Sequence, residues 1–253
     1  MSRVYLFDGT LAGFQSVLPV LWNISENGDR LQSADSYIPG IFEEAVTLDP
    51  SVDHYQPALS DEAYNEAVKR LLYAFSDSRT NAFEQTPSFL CYVRNNGLFA
   101  LTHLAEPCVN IVTKAARRTA GEAHKLKGLL RFRKIGNIFY GPYFSRSFVL
   151  PMLSEHFRRR LPNQQWILHD TERSTGIFYN GHVPVQAFFD ETQILELTAL
   201  YEKNGVEDPF ETLWKSYFDN IAIEYRKNPK LQQSFMPKQY WKYIPEVSGR
   251  LKK

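Results

Sequence analysis

The chain has 253 residues, 43% hydrophobic and 14% aromatic, with a formal net charge of +1. This composition fits a folded chain with a sizeable core and excludes a disordered or collagen-like one. No run of 18 apolar residues occurs, so no membrane-spanning helix is expected; Met1–Trp22 also lacks the basic start and small-residue cleavage site of a signal peptide.

Val4–Phe7 predicts a short strand, and Asp8-Gly9-Thr10 a turn ending in a helix N-cap. Leu11, Phe14, Leu18 and Leu21 then recur at helical spacing around Pro19. Residues 25–57 look irregular, apart from a strand around Glu44–Leu48. Ser60-Asp61-Glu62-Ala63 is a capping signature for a helix carrying Ala67, Leu71, Leu72 and Phe75. Further helices are expected near 87–95, 97–104 and 107–127. The period then changes: Leu130 and Phe132 alternate with Arg131 and Arg133, which predicts a strand with a basic outer face. Gly136-Asn137 marks a hairpin to Ile138-Phe139-Tyr140. Leu150, Leu153, Phe157 and Leu161 define a helix stopped by Pro162, and Gln165–His169 a strand. Asn180-Gly181 joins Ile177-Phe178-Tyr179 to Val183–Phe188 as a second hairpin. Helices at about 191–203 and 208–226 precede a basic, aromatic tail after Pro229. The expected class is α+β, a single unit over residues 1–253 with a helical N-terminal half and a mainly antiparallel sheet from 129–189. A subdivision, if present, separates a helical part at 1–110 from a strand-containing part at 111–253.

The small net charge conceals segregation. Residues 1–113 hold 6 Lys/Arg against 14 Asp/Glu, 114–173 hold 13 against 4, 174–225 hold 2 against 9, and 226–253 hold 8 against 1. Basic blocks dotted with aromatics suit a phosphate-bearing partner, although acidic and basic elements that neutralise one another give the same pattern. Three constellations stand out. In the first, His124, Lys125 and Lys127 lead into Arg131 and Arg133; the arginine fork suits phosphate, and His124 is a candidate acid or base. The same cations also suit a helix C-terminus. In the second, Arg158-Arg159-Arg160 precedes Trp166, His169, Asp170 and Arg173. Asp170 is expected to pair with an arginine, which would depress its pKa, or else to act as a catalytic carboxylate. In the third, Lys238, Tyr240, Trp241 and Lys242 alternate cations with aromatics, as single-strand binders do. A strap packed over the core is the competing reading, favoured for Trp241 by Met236, Pro237 and Ile244 around it.

Common nucleotide, hydrolase and zinc signatures are missing, so neither a cofactor nor a metal is expected. Cys91 and Cys108 form no C-x-x-C pair, which suits a reduced, cytoplasmic compartment.

Several segments together carry a family resemblance: Tyr5-x-x-Asp8-Gly9-Thr10-x-x-Gly13-Phe14, Glu122-x-His124-Lys125-x-Lys127-Gly128-x-x-Arg131-Phe132, and Leu150-Pro151. Others are His156-Phe157-x-x-Arg160, Trp166-Ile167-x-x-Asp170, Leu213-Trp214-x-x-Tyr217, Asn228-Pro229-Lys230-Leu231 and Met236-Pro237-Lys238-x-Tyr240-Trp241. In these the chain resembles, nearly end to end, a bacterial family of DNA-metabolism and DNA-repair proteins. Its C-terminal half is a domain of unknown function, also found fused behind uracil-DNA-glycosylase-like domains. The resemblance implies a role beside a radical-SAM protein but supplies no catalytic residues. The resulting expectation is a DNA-binding accessory protein whose contacts come from His124, Lys125, Lys127, Arg131, Arg133, Arg160, Arg173, Lys238, Tyr240 and Lys242. The alternatives are an enzyme acting on damaged DNA through His124 and Asp170, or a protein-interaction module that never touches nucleic acid.

Overall fold

In the computed structural model, which describes residues 2–40, 43–48, 62–207, 209–221 and 228–248, the chain divides into two compact units, residues 1–120 and 121–253. The fold class is α+β. The first unit is built on β1 (Ser2–Phe7), whose Val4, Tyr5 and Phe7 are all buried, as befits a central parallel strand. It lies between β2 (Arg30–Ser33) and β3 (Glu43–Thr47), parallel to both. The Thr10 hydroxyl caps α1 (Leu11–Ile24) by accepting from the Gly13 amide, and the helix passes through Pro19 without ending. Strand β2 was not legible in the sequence, because Leu31 is its one fully inward residue.

Helix α2 (Glu62–Phe75) buries Ala67, Leu71 and Ala74; the Ser60-Asp61 part of the capping signature lies outside the described residues. Helix α3 (Thr86–Asn96) stops where Gly97 takes φ +63°, and the helix expected at 97–104 is a 3-10 turn, Gly97–Thr102. Phe7, Phe14, Phe75 and Phe83 form an aromatic cluster in this core, with Phe14 stacked on Phe75 at 4.4 Å. Helix α4 (Pro107–Leu129) contains the division between the units.

The second unit holds a sheet in the order β4 (Arg133–Ile135), β5 (Ile138–Tyr143), β6 (Trp166–Asp170), β7 (Thr175–Tyr179), β8 (Pro184–Phe188). Only the β5–β6 pair is parallel, because α5 (Leu150–Arg160) carries the chain back between them; the other neighbours are antiparallel. The first expected hairpin forms at Gly136, where φ is +59°. The second forms too, with a four-residue loop and a strand that starts at Pro184 instead of Val183, since Tyr179 pairs with Pro184 and the Asn180 side chain accepts from the His182 and Val183 amides. The strand expected from Leu130 begins only at Arg133, since residues 130–132 leave α4 without pairing. Trp166 and Leu168 face a core completed by Leu153 and Phe157 of α5 and by Tyr240, Trp241 and Ile244 of the tail. Helices α6 (Glu191–Glu207), α7 (Pro209–Ile221), α8 (Pro229–Phe235) and α9 (Pro245–Ser248) follow. Among the described residues, no helix is long and apolar enough to cross a membrane.

Candidate nucleic-acid interface

The basic block of the second unit separates into committed and displayed cations. Arg133 is committed: its Nε and Nη2 donate to the two Glu211 oxygens at 2.7 and 2.9 Å, Nη1 donates to the Tyr201 carbonyl, and the guanidinium lies 3.9 Å from the Tyr201 ring. With its side chain 13% exposed, it is not a phosphate ligand. Arg131 donates to Glu246 at 2.6 Å and to the Gly128 carbonyl at 2.8 Å. The two arginines therefore do not form an exposed basic strand face, because Arg131 precedes the strand and each has its own buried carboxylate.

Asp170 does pair with an arginine, accepting from Arg173 at 3.0 Å and from the Glu172 amide at 3.1 Å. Its pKa moves opposite to expectation: burial raises it, and the charge of Arg173 only partly offsets that. Arg173 also donates to the carbonyls of Ser145 and Arg146. On the other side of the same loop, buried Glu122 accepts from the Ser145 hydroxyl at 2.6 Å and the Ser147 amide at 2.9 Å. Residues 144–149, between β5 and α5, are thus laced down from both flanks. His124 is exposed on α4 whereas Asp170 is wholly buried, and no hydrogen bond joins them. They do not form an acid–base pair.

A buried pair that the sequence did not reveal lies on the opposite face of β6. His169 Nδ1 is 2.5 Å from the Tyr140 hydroxyl, its ring packs on Phe189, and burial lowers its pKa to about 4. Tyr140 is 29 residues upstream, and only the β5–β6 register brings the two together.

The displayed cations gather at the ends of two helices. His124 and Lys125 are exposed on the last turns of α4, and Arg160 at the end of α5; Lys125, Lys127 and Arg160 have no ion-pair partner among the described residues. His156, on α5, links them: after burial, the charges of Lys127 and Arg160 are what lower its pKa. Arg158 and Arg159 share Glu155, whose pKa their hydrogen bonds pull down to about 2. Just past the end of α4, the Arg131 guanidinium lies 5.9 Å from the ring of Trp214. Trp214 stacks on Tyr217 at 5.8 Å, and these residues are 41% and 54% exposed.

The tail is a strap. Tyr240 and Trp241 are 3% and 6% exposed, and the Trp241 indole donates to the Met236 carbonyl at 2.8 Å. Tyr240 is therefore turned inward, away from any base. Lys238 and Lys242 are exposed, and Lys242 borders a cleft of about 430 Å³ beside Thr171 and Glu172, just past the end of β6.

A mixed sheet with a single parallel crossover, flanked by helices whose ends carry unpaired cations, defines an α+β domain with a basic surface. The chain belongs to the DUF4130 family, a domain of unknown function, matched over residues 81–246. No curated protein and no solved structure matches it.

Proposed function

We propose that the protein binds DNA through the face formed by the C-terminal ends of α4 and α5, as an accessory factor in DNA metabolism. The observation that carries this reading is that Lys125 and Arg160 stand exposed at the ends of α4 and α5 and, with half-exposed Lys127, have no ion-pair partner among the described residues; the charges of Lys127 and Arg160 both act on His156 of α5. Such cations gain by replacing condensed counterions on a phosphate backbone. The exposed Trp214–Tyr217 pair beside Arg131 adds an aromatic surface on which an unpaired base can stack. The family resemblance adds a radical-SAM protein as the enzyme to which DNA is presented. A catalytic role for His124 with Asp170 is disfavoured by their separate environments.

The test is the salt dependence of binding to short single- and double-stranded oligonucleotides. Neutralising Lys125, Lys127 and Arg160 together should flatten the slope of log K against log salt by about 0.7–0.9 per cation removed. An unchanged slope would overturn the proposed face. Absence of any binding to DNA, with retained binding to an acidic protein, would favour the interaction-module alternative.

A further inference from the structure

In the first unit, α2 and α4 border a groove of about 200 Å³. Glu66, Lys69, Arg70 and Tyr73 face it from α2 at helical spacing, and Thr113 and Arg117 from α4. Ala116 and Ala120 keep the groove open, since larger side chains there would fill it. Arg70 is anchored: its Nη1 donates to the Leu101 carbonyl at 2.6 Å and to the Thr113 hydroxyl at 2.9 Å. Its Nη2 and Nε have no hydrogen bond among the described residues. Arg117 is exposed and has no ion-pair partner among them. The two guanidinium groups are near enough that, after burial, the charge of Arg117 is what lowers the pKa of Arg70. Lys69 adds a third cation, while the one carboxylate in the groove, Glu66, is 3.3 Å from Lys69. Three cations against one carboxylate leave a concave site with a charge of +2, inside a unit, residues 1–120, that holds 9 Lys/Arg against 14 Asp/Glu.

We propose that this groove binds a phosphate monoester, with Arg70 as the fixed donor and Arg117 as the arm that closes on the ligand. A monoester carries a charge near −2 at neutral pH and three acceptor oxygens, which match the unmet charge and the free donors of the two guanidinium forks. A backbone phosphodiester, with a single charge, matches less well. The proposal uses none of the residues of the DNA-binding face and does not depend on that reading.

The test is thermal unfolding of the full chain with inorganic phosphate, a nucleoside 5′-monophosphate, or the unphosphorylated nucleoside, each against chloride at equal ionic strength. Phosphate and the monophosphate should raise the melting temperature saturably, as a ligand of the native state does, and the nucleoside should not. Arg117→Ala should weaken this response at least tenfold while leaving the unliganded melting temperature near that of the parent, because Arg117 is exposed. An equal response in Arg117→Ala, or an equal response to chloride, overturns the proposal. Oligonucleotides with and without a 5′-phosphate distinguish the source. An Arg117-dependent gain from the 5′-phosphate identifies a nucleic-acid end; a response confined to the small molecules identifies a free metabolite. Equal Arg117-dependent binding of both oligonucleotides would refute the monoester assignment.

Discussion

Arg133 and Arg160 belong to the same basic block, yet the fold uses them in opposite ways. Arg133 is sealed between Glu211 and the Tyr201 ring, whereas Arg160 stands exposed beside Lys127 and His156. The tail and α7 repeat the contrast with aromatics: Trp241 is inside, Trp214 outside. Composition counts these residues alike. A charge or an aromatic ring contributes to binding only if the fold has not already consumed it.

Two substitutions probe the buried side of this contrast most strongly. Replacing Trp241 by Ala should cost about 3–5 kcal/mol, as truncating a buried aromatic does, and denaturant titration would show it as a lower midpoint. Near-parental stability with weakened single-strand binding would instead make Trp241 a base-stacking residue. Arg133→Ala should also cost about 3–5 kcal/mol, chiefly by removing both guanidinium hydrogen bonds from the buried Glu211 carboxylate. Within the folded fraction of that variant, the salt slope of DNA binding should not change. Lys125, Lys127 and Arg160 replaced by neutral residues sharpen the contrast from the other side. Each should alter stability by no more than about 0.5 kcal/mol, since surface changes away from structural contacts rarely do more.

The same comparison predicts a pH response. His169 is buried and its pKa falls from 6.5 to about 4, so the unfolded chain takes up this proton first as pH drops. Above pH 6.5 the residue is neutral in both states. Its contribution to stability is then lost as pH falls from about 6.5 through about 4, a decrease of order 3 kcal/mol at the lower end. Asp170 opposes this, because its raised pKa lets the folded state hold a proton more readily than the unfolded one at low pH. Melting temperatures of the parent and His169→Gln across pH 4–7 would separate the two. The variant should lose the decline attributed to His169 and keep the opposing trend.

How much of this was legible in the sequence depended on the range of the interaction. Asn180-Gly181 and Gly136-Asn137 marked their hairpins because the backbone angle is written into adjacent residues. Met236, Pro237 and Ile244 betrayed the strap because an apolar setting surrounds Trp241 within a few positions. The fate of Arg133 was illegible: Glu211 is 78 residues away, and nothing near position 133 names it. The alternation over Leu130–Arg133 misleads as well, because it assigns Arg131 and Arg133 to a shared solvent face although the strand begins only at Arg133. The His169–Tyr140 pair leaves no mark in the sequence, because strand register, not spacing, makes them neighbours. Helix ends carrying Lys125, Lys127 and Arg160 were readable as basic, but that Lys127 and Arg160 both act on His156 depends on tertiary structure that sequence spacing does not write.

The lacing of residues 144–149 has a consequence for motion. Glu122 and Arg173 hold the loop by its hydroxyl, amide and carbonyl groups together, so it cannot peel away one contact at a time. To release the Ser147 amide, a buried carboxylate must be uncovered, which ties that opening to a larger cooperative event than ordinary loop fluctuation. In hydrogen exchange the Ser147 amide therefore belongs with the core strands, although its neighbours in sequence form no regular structure.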